Sequence, residues 1–203
     1  MKLETDGAEY EILADAVKAA KDVTGLICEI GTRLGGSMQI MIDAALESGQ
    51  ENRHFISVDP YGHILYETGK PFGATRFDYT NEMKKEAMAV LFKYVQGKFA
   101  DFSHFCLTDT DFMVRFADGV PVYNVEPKTI NNYAVVYLDG PHDTKSVLKE
   151  CMFFRERMEK GGMIVIDNID YMDIQDVIDY MEAVDFEIQK LGDTKICFQK
   201  CRH

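Results

Sequence analysis

No stretch of the sequence approaches the roughly 18 uninterrupted apolar residues that a membrane-spanning helix needs. The start, Met-Lys-Leu-Glu-Thr-Asp, also lacks the basic-then-apolar order of a signal peptide. These two absences predict a cytoplasmic protein that has no membrane among its partners.

Positive charge is scarce as well. The chain carries 22 lysines and arginines against 34 aspartates and glutamates, which gives a formal net charge of −12 at pH 7. A surface of this sign repels the phosphates of DNA and RNA. We therefore expect no nucleic acid among the partners.

Cysteine is present, but without the pattern of a zinc or disulfide site. The five cysteines are odd in number and include no Cys-x-x-Cys pair. Most of them lie in apolar stretches that favour strands or helix faces, where a reduced thiol behaves as a small apolar side chain. We predict reduced thiols at Cys28, Cys106, Cys151, Cys197 and Cys201.

The sequence has no internal repeat and no proline- or serine-rich linker that would divide its 203 residues. That length fits one ordinary domain with a sizeable core. We expect a single domain over 1–203, with its core at about 23–200.

Short apolar runs alternate with helical patterns along the chain. Each run is too brief for a helix and is typical of a buried strand. Parallel strands need crossover connections, so the alternation predicts a doubly wound, mostly parallel α/β sheet. Two extended runs joined by a glycine turn predict a C-terminal antiparallel hairpin. The predicted strands are 26–30, 54–58, 102–107, 134–138, 163–166, 186–191 and 195–199, and the predicted helices are 37–46, 81–98, 112–116, 171–184 and one from a cap at Asp143 to Gly161.

The turn after the first predicted strand, 31–36, indicates the ligand class. A dinucleotide fingerprint needs glycine at the third position, where Arg33 stands, and no phosphate-loop Gly-Lys-Ser/Thr follows. The amides of this turn and the Ser37 hydroxyl can instead hold a carboxylate at a helix N-terminus, while Asp59 can accept from ribose hydroxyls. An adenosine ligand with a carboxylate and no phosphates fits these demands. The alternative is a plain strand-to-helix turn.

Four segments, 28–37, 57–60, 138–142 and 161–168, together resemble class I S-adenosylmethionine-dependent methyltransferases. Within that class the chain is similar to the small-molecule O-methyltransferases that include macrocin O-methyltransferase and, more distantly, catechol O-methyltransferase. The resemblance implies a seven-stranded Rossmann-like sheet in which only the last-inserted strand is antiparallel. It also implies S-adenosylmethionine as the cofactor.

The resemblance implies contacts to each part of that cofactor. The first strand end and the glycine turn surround its methionine part, the second strand end meets its ribose, and the third lies beside its adenine. The predicted contacts are Glu29, Gly31, Thr32, Arg33, Gly35 and Ser37 in the first group, Asp59 on the ribose, Asp109 and Thr110 beside adenine, and Asp139 at the fourth strand end. For Arg33 the alternative is a solvated side chain.

A metal centre is implied too. Metal-dependent members have an aspartate ending the fourth strand and an Asp-Asn pair ending the fifth, and Asp139, Asp167 and Asn168 fill those positions. Carboxylate and amide oxygens suit Mg²⁺, and a bound ion activates a coordinated hydroxyl. We expect Mg²⁺ as a second cofactor. The alternative is that the aspartates are turn residues and Asn168 a helix cap.

His142 stands where macrocin-type members have a histidine and catechol-type members a lysine. An imidazole ordinarily changes charge near neutral pH, which suits a general base. We therefore expect His142 and Asp139 to be the catalytic residues. The alternative for His142 is a surface residue ahead of the helix cap.

These inferences predict an S-adenosylmethionine-dependent enzyme that methylates an oxygen of a small hydroxylated molecule with metal assistance. The alternatives are an inert nucleoside-binding module and, less favoured because of Arg33, an NAD-dependent oxidoreductase. The aromatic loop at 60–79 is the candidate substrate lid, or it packs on the sheet edge. Only about 25 residues precede the first strand, so the acceptor class does not transfer from related enzymes. A homodimer is compatible with the sequence.

Overall fold

The computed structural model describes residues 3, 5, 7–62, 66–67, 75–76, 80–123 and 126–201, with the backbone alone at 66–67 and 75–76. Seven strands within these ranges form one sheet. They are β1 (Leu26–Ile30), β2 (His54–Val58), β3 (Asp101–Phe105), β4 (Tyr133–Leu138), β5 (Met158–Ile166), β6 (Phe186–Leu191) and β7 (Ile196–Lys200).

The strand order is β6-β7-β5-β4-β1-β2-β3. β7 runs antiparallel to both β5 and β6, while β1 pairs parallel with β2 and β4. This confirms the predicted doubly wound sheet with one inserted antiparallel strand. The order reverses at β1, whose neighbours are β2 on one side and β4 on the other. Ligands of such sheets bind at this switch point, beyond the carboxyl ends of the strands.

Helices cover both faces of the sheet. They are α1 (Tyr10–Ala19), α2 (Gly36–Glu47), α3 (Asn81–Lys98), α4 (Asp109–Arg115), α5 (Thr144–Arg155) and α6 (Ile174–Ala183). Successive strand residues point to opposite faces, so one face packs its apolar side chains with α1, α2 and α3 and the other with α4, α5 and α6. This double cover explains why β1, β2 and β4 are buried along their whole length.

Some elements differ from the predictions. Helix α1 was not predicted, although Ile12, Leu13, Ala16 and Val17 recur at helical spacing and are buried. The helix expected to continue to Gly161 ends at Arg155, and β5 begins at Met158. Gly161, with φ +89°, lies inside the strand opposite a register shift in β4, which is the usual place of a glycine in a bulge.

Two short antiparallel ribbons lie outside the main sheet. One pairs Val120–Val122 with Lys128–Ile130, and the other pairs Tyr66–Glu67 with Thr75–Arg76. Most of the candidate lid at 60–79 lies outside the described residues. No helix within the described ranges has both the length and the apolar character that crossing a membrane requires.

Candidate active site

The glycine turn between β1 and α2 is shaped by two close approaches. Gly31 has φ +89°, and a Cβ there would lie 2.1 Å from the carbonyl oxygen of Asp139 at the end of β4. Gly35 has φ +82°, and a Cβ there would lie 2.5 Å from Leu91 Cδ1. Neither position leaves room for a side chain. The ends of β1 and β4 therefore meet closely at the switch point.

Behind the turn, Glu29 and Ser37 form a buried hydrogen bond. Glu29 is fully buried in β1, and the Ser37 hydroxyl in the first turn of α2 donates to Glu29 Oε1. This bond ties the strand end to the helix N-terminus. It therefore helps to fix the direction in which the amides of the first turn of α2 point.

The Asp59 carboxylate, at the end of β2, is engaged by the backbone of the glycine turn. Its Oδ2 accepts from the amides of Thr32 and Arg33, each at 2.9 Å, and its Oδ1 accepts from the amide of Tyr61 at 3.0 Å. Burial raises the pKa of Asp59, and the three amide bonds act in the opposite direction. Asp59 thus organises the turn, and its predicted contact with ribose stays a prediction.

A cavity of about 80 Å³ lies at the carboxyl ends of β1, β4 and β5. It brings eight of the predicted site residues together, from three separate stretches of the sequence. These are Gly31, Thr32, Arg33, Ser37, Asp139, His142, Asp167 and Asn168, and the wall is completed by Thr5, Gly7, Tyr10, Leu34 and Gly36.

Five predicted contacts lie outside that wall, namely Glu29, Gly35, Asp59, Asp109 and Thr110. Asp109 and Thr110 open α4, the former half-buried and the latter exposed. They stand on the β3 side of the switch point, away from the residues that line the cavity. Their contact with adenine stays a prediction.

Asp167, at the end of β5, has a partner that the sequence did not indicate. Its Oδ2 accepts from Lys195 Nζ at 2.7 Å and from the Tyr137 hydroxyl, while its Oδ1 accepts from the Asn168 amide at 2.7 Å. Lys195 is fully buried, and its ammonium also lies 4.5 Å from the centre of the Tyr10 ring. Both Asp167 oxygens are therefore occupied, and its charge is balanced by a lysine.

This arrangement does not fit the predicted magnesium centre. Mg²⁺ needs carboxylate oxygens that are open to it, whereas Lys195 already neutralises Asp167. Among the described residues, no three histidine, cysteine, aspartate or glutamate side chains are grouped so that they could hold a metal ion. Asp139, Asp167 and Asn168 do share one cavity, but Lys195 and Tyr137 already engage the Asp167 carboxylate.

The N-terminal segment, to which the sequence analysis assigns no site residue, forms part of the site. Thr5, Gly7 and Tyr10 line the cavity. Glu9, between them, accepts from the amides of Asp193 and Thr194 in the turn between β6 and β7, at 2.9 and 2.8 Å. The start of the chain is therefore attached to the terminal hairpin that carries Lys195.

His142 and Asp139 occupy the loop between β4 and α5. The loop ends at Asp143, whose carboxylate caps α5 by accepting from the Ser146 amide at 3.0 Å. Because β4 and the cap hold both ends of this short segment, His142 is positioned on the cavity wall beside Asp139. The two predicted catalytic residues therefore share one wall with the glycine turn.

A seven-stranded sheet in this order, with a glycine turn at its switch point, is the fold of class I methyltransferases. A family profile described as "Methyltransferase domain" matches residues 28–169. The chain belongs to this methyltransferase family, as the four segments of resemblance predicted. No curated protein sequence matches the chain.

Solved structures share the fold at low sequence identity. The calicheamicin methyltransferase CalS11 is 17% identical, with a TM-score of 0.60 over 93% of this chain and 78% of that one. An O-methyltransferase from Bacillus cereus, in complex with SAH, is 10% identical, with a TM-score of 0.62 over 97% and 83%. TomG, an O-methyltransferase from Streptomyces achromogenes in complex with SAM, is 11% identical, with a TM-score of 0.61 over 97% and 82%.

Proposed function

We propose that this chain transfers a methyl group from S-adenosylmethionine to an oxygen of a small hydroxylated molecule. The observation that carries the proposal is a single cavity that joins the glycine turn, the N-terminus of α2 and His142. The structural neighbours support the cofactor, since one was solved with S-adenosylmethionine and another with its demethylated product. They support the reaction as well, because both are described as O-methyltransferases.

The N-terminus of α2 suits the amino-acid end of the cofactor. The first amides of a helix lack intrahelical partners and carry partial positive charge, so they favour a carboxylate. Gly36 and Ser37 bring these groups to the cavity wall without a bulky side chain in front of them. The Glu29 carboxylate behind Ser37 holds that hydroxyl in place.

His142 supplies the base in this proposal. As the acceptor oxygen attacks the methyl carbon, the bond from that carbon to sulfur breaks and its electron pair stays on sulfur. The proton of the acceptor hydroxyl passes to the His142 imidazole, and S-adenosylhomocysteine is the second product. Most of the acceleration comes from holding the two reactants in line, which the shared wall of the cavity favours.

Ligand-dependent melting tests the cofactor. S-adenosylhomocysteine at 100 times its dissociation constant stabilises a fold by about 2.7 kcal/mol, which raises the melting temperature of a chain of this size by roughly 5–11 °C. NAD at the same concentration should leave the melting temperature unchanged. Stabilisation by NAD and not by S-adenosylhomocysteine would overturn the proposal.

Two serines at opposite ends of α2 make a matched pair of variants. Ser37→Ala removes the hydroxyl on the cavity wall and should reduce the shift caused by S-adenosylhomocysteine. Ser48→Ala removes a hydroxyl at the other end of the helix, which donates to the Ala44 carbonyl at 2.7 Å and accepts from the Gln50 side chain at 2.9 Å, and should leave the shift intact. Labelled S-adenosylmethionine with a panel of phenols, sugars and polyketide alcohols then identifies the acceptor, and no transfer despite binding would favour an inert module.

A further inference from the structure

The strongest unexplained feature of the site is the buried ammonium of Lys195. Among the described residues, a carboxylate and two aromatic rings face it. Asp167 Oδ2 lies 2.7 Å from Nζ, the ring centre of Tyr10 lies 4.5 Å away, and that of Tyr137 lies 5.9 Å away. Asp167 lines the cavity and Lys195 lies directly behind it, fully buried. A positive charge therefore lies against the buried side of a carboxylate for which the sequence predicted a divalent cation.

The ammonium is held from several directions. Lys195 follows the β6–β7 turn, whose amides donate to the Glu9 carboxylate. The Lys195 amide also donates to Glu9 Oε2, at 3.2 Å. The N-terminal segment covers it, because a Cβ on Gly7 would lie 3.2 Å from Nζ. Lys195 is thus a built-in part of the site, attached through the hairpin and the start of the chain.

The donors around the Asp167 carboxylate compete with a metal ion. Besides Lys195, the carboxylate accepts from the Tyr137 hydroxyl and from the Asn168 amide. A divalent cation would have to displace these donors and lie a few ångströms from the ammonium, where like charges repel strongly in a site of low dielectric constant. Separating the two charges of a buried ion pair also costs free energy, because one charge is then left buried without a partner.

We infer that the Lys195 ammonium takes the place of the divalent cation and that the methyl transfer proposed above is metal-independent. This inference rests on the proposed function for its catalytic meaning. Lys195 is a positioning residue in it: its ammonium fixes the Asp167 carboxylate, and through the end of β5 it fixes the wall that faces Asp139 and His142. The base is then His142 alone, without a metal-bound oxygen.

The surface of the protein offers a matched control. On α2 and α3, Lys98 Nζ lies 3.2 Å from Asp43 Oδ1 and 5.6 Å from the Tyr94 ring centre, and the Tyr94 hydroxyl donates to Asp43. The side chains of Lys98 and Asp43 are about two-fifths exposed, whereas those of Lys195 and Asp167 are buried. Replacing Lys98 therefore reports what the loss of the ammonium costs when the same three chemical groups lie at the surface.

Manganese binding to the full chain, followed by electron paramagnetic resonance, tests the inference directly. Mn²⁺ up to about 1 mM should remain free in the wild type, with or without S-adenosylhomocysteine. One Mn²⁺ bound per chain in the wild type and lost in Asp167→Asn would overturn the inference. Because the measurement needs no cofactor, it decides this point even if S-adenosylhomocysteine fails to bind, which would instead overturn the proposed function.

Melting of the lysine variants tests the ion pair. Lys195→Met should lower the melting temperature by roughly 6–20 °C, and Lys98→Met by less than about 4 °C. The double variant Asp167→Asn with Lys195→Met removes both charges, so it should recover most of the loss in melting temperature. If Lys195→Met does not fold, the double variant decides alone. Equal melting of Lys195→Met and Lys98→Met, or a double variant no better than the single one, would contradict the inference.

Discussion

The Glu9 carboxylate accepts two hydrogen bonds from Thr194, one from its amide at 2.8 Å and one from its hydroxyl at 2.9 Å. These residues lie near opposite ends of the sequence. A Cβ on Gly192 would lie 2.4 Å from a Glu9 oxygen, so the turn between β6 and β7 leaves room for this carboxylate only with glycine there. The contact joins the segment that lines the cavity to the hairpin that carries Lys195.

The Glu9 contact predicts a pH-dependent stability. Backbone hydrogen bonds, that of Thr194 first, lower the pKa of Glu9 to about 2 from its usual 4.5. A depressed folded-state pKa stabilises the protein above pH 4.5, and this stabilisation is lost as pH falls from 4.5 through about 2. Glu9→Gln should therefore lower the melting temperature at pH 7, with a difference from the wild type that shrinks towards pH 2.

Glu11→Gln is the control for this prediction. Glu11 is exposed in the first turn of α1, two residues away, and makes no contact with the hairpin turn among those found for the described residues. Its replacement should change the melting temperature little at any pH. A Glu9→Gln variant that melts like Glu11→Gln at pH 7 would show that the contact adds no stability.

Alanine variants of Gly31, in the glycine turn, and of Gly49, after the end of α2, separate two effects of adding a side chain: backbone strain and collision with a neighbouring atom. Both glycines have positive φ, at +89° and +78°, but a Cβ on Gly49 meets nothing within 4 Å. Gly49→Ala should therefore cost only the backbone strain, about 1–2 kcal/mol. Gly31→Ala adds a collision with the Asp139 carbonyl, so it should cost more and abolish stabilisation by S-adenosylhomocysteine. Denaturant unfolding with and without that ligand measures both, and equal losses would argue against the close approach.

The sequence was informative where local pattern and fold coincide. Glycines at 31 and 35 after an apolar run predicted the strand, the turn and the helix N-terminus, and each glycine is required by a close contact in the structure. Aspartates at strand ends likewise identified the edge of the sheet where the cavity lies. These residues all follow parallel strands, and the ends of parallel strands lie at the same edge of the sheet. Their location can therefore be predicted without knowing any contact between distant segments.

Contacts between distant segments could not be predicted in the same way. Lys195 and Asp167 are 28 residues apart, and their pairing depends on the insertion of β7 beside β5. A lysine next to an apolar strand gives no signal of its partner, so the sequence does not indicate that Lys195 meets Asp167. Helix α1 differs from such contacts, because the apolar spacing of Ile12, Leu13, Ala16 and Val17 is a local signal in the sequence.

The buried Glu150 carboxyl should make the protein less stable at higher pH, so replacing it with a neutral side chain should stabilise the protein there. Glu150 is fully buried on α5, and neither carboxyl oxygen has a hydrogen-bond partner within the described part of the chain. Burial, and then the charges of Asp109 and Asp143, raise its pKa well above the usual 4.5. The folded protein keeps the proton while the unfolded chain loses it, so stability falls as pH rises above 4.5, by at most about 1.4 kcal/mol per pH unit.

Glu150→Gln should therefore flatten this slope and be more stable than the wild type at pH 8, with little difference at pH 5. Glu86→Gln, on the exposed face of α3, is the matched control and should follow the wild-type curve. Urea unfolding at several pH values measures the free energies. If the free energy of unfolding of Glu150→Gln depended on pH as steeply as that of the wild type, titration of Glu150 would not be the cause of the slope.

His142 gives the last prediction, on turnover with an identified acceptor. His142→Ala should lower the rate by roughly 10²- to 10⁴-fold, the usual contribution of a general base, while S-adenosylhomocysteine still stabilises the protein. The loss should shrink at high pH, because an acceptor that ionises unaided no longer needs the imidazole. His54→Gln is the control, since His54 lies at the amino-terminal end of β2, whereas the cavity lies at the carboxyl ends of the strands. Its Nε2 is 3.0 Å from the Ser103 hydroxyl oxygen. A His142→Ala variant that loses activity by the same factor at every pH would assign His142 to acceptor binding instead of proton transfer.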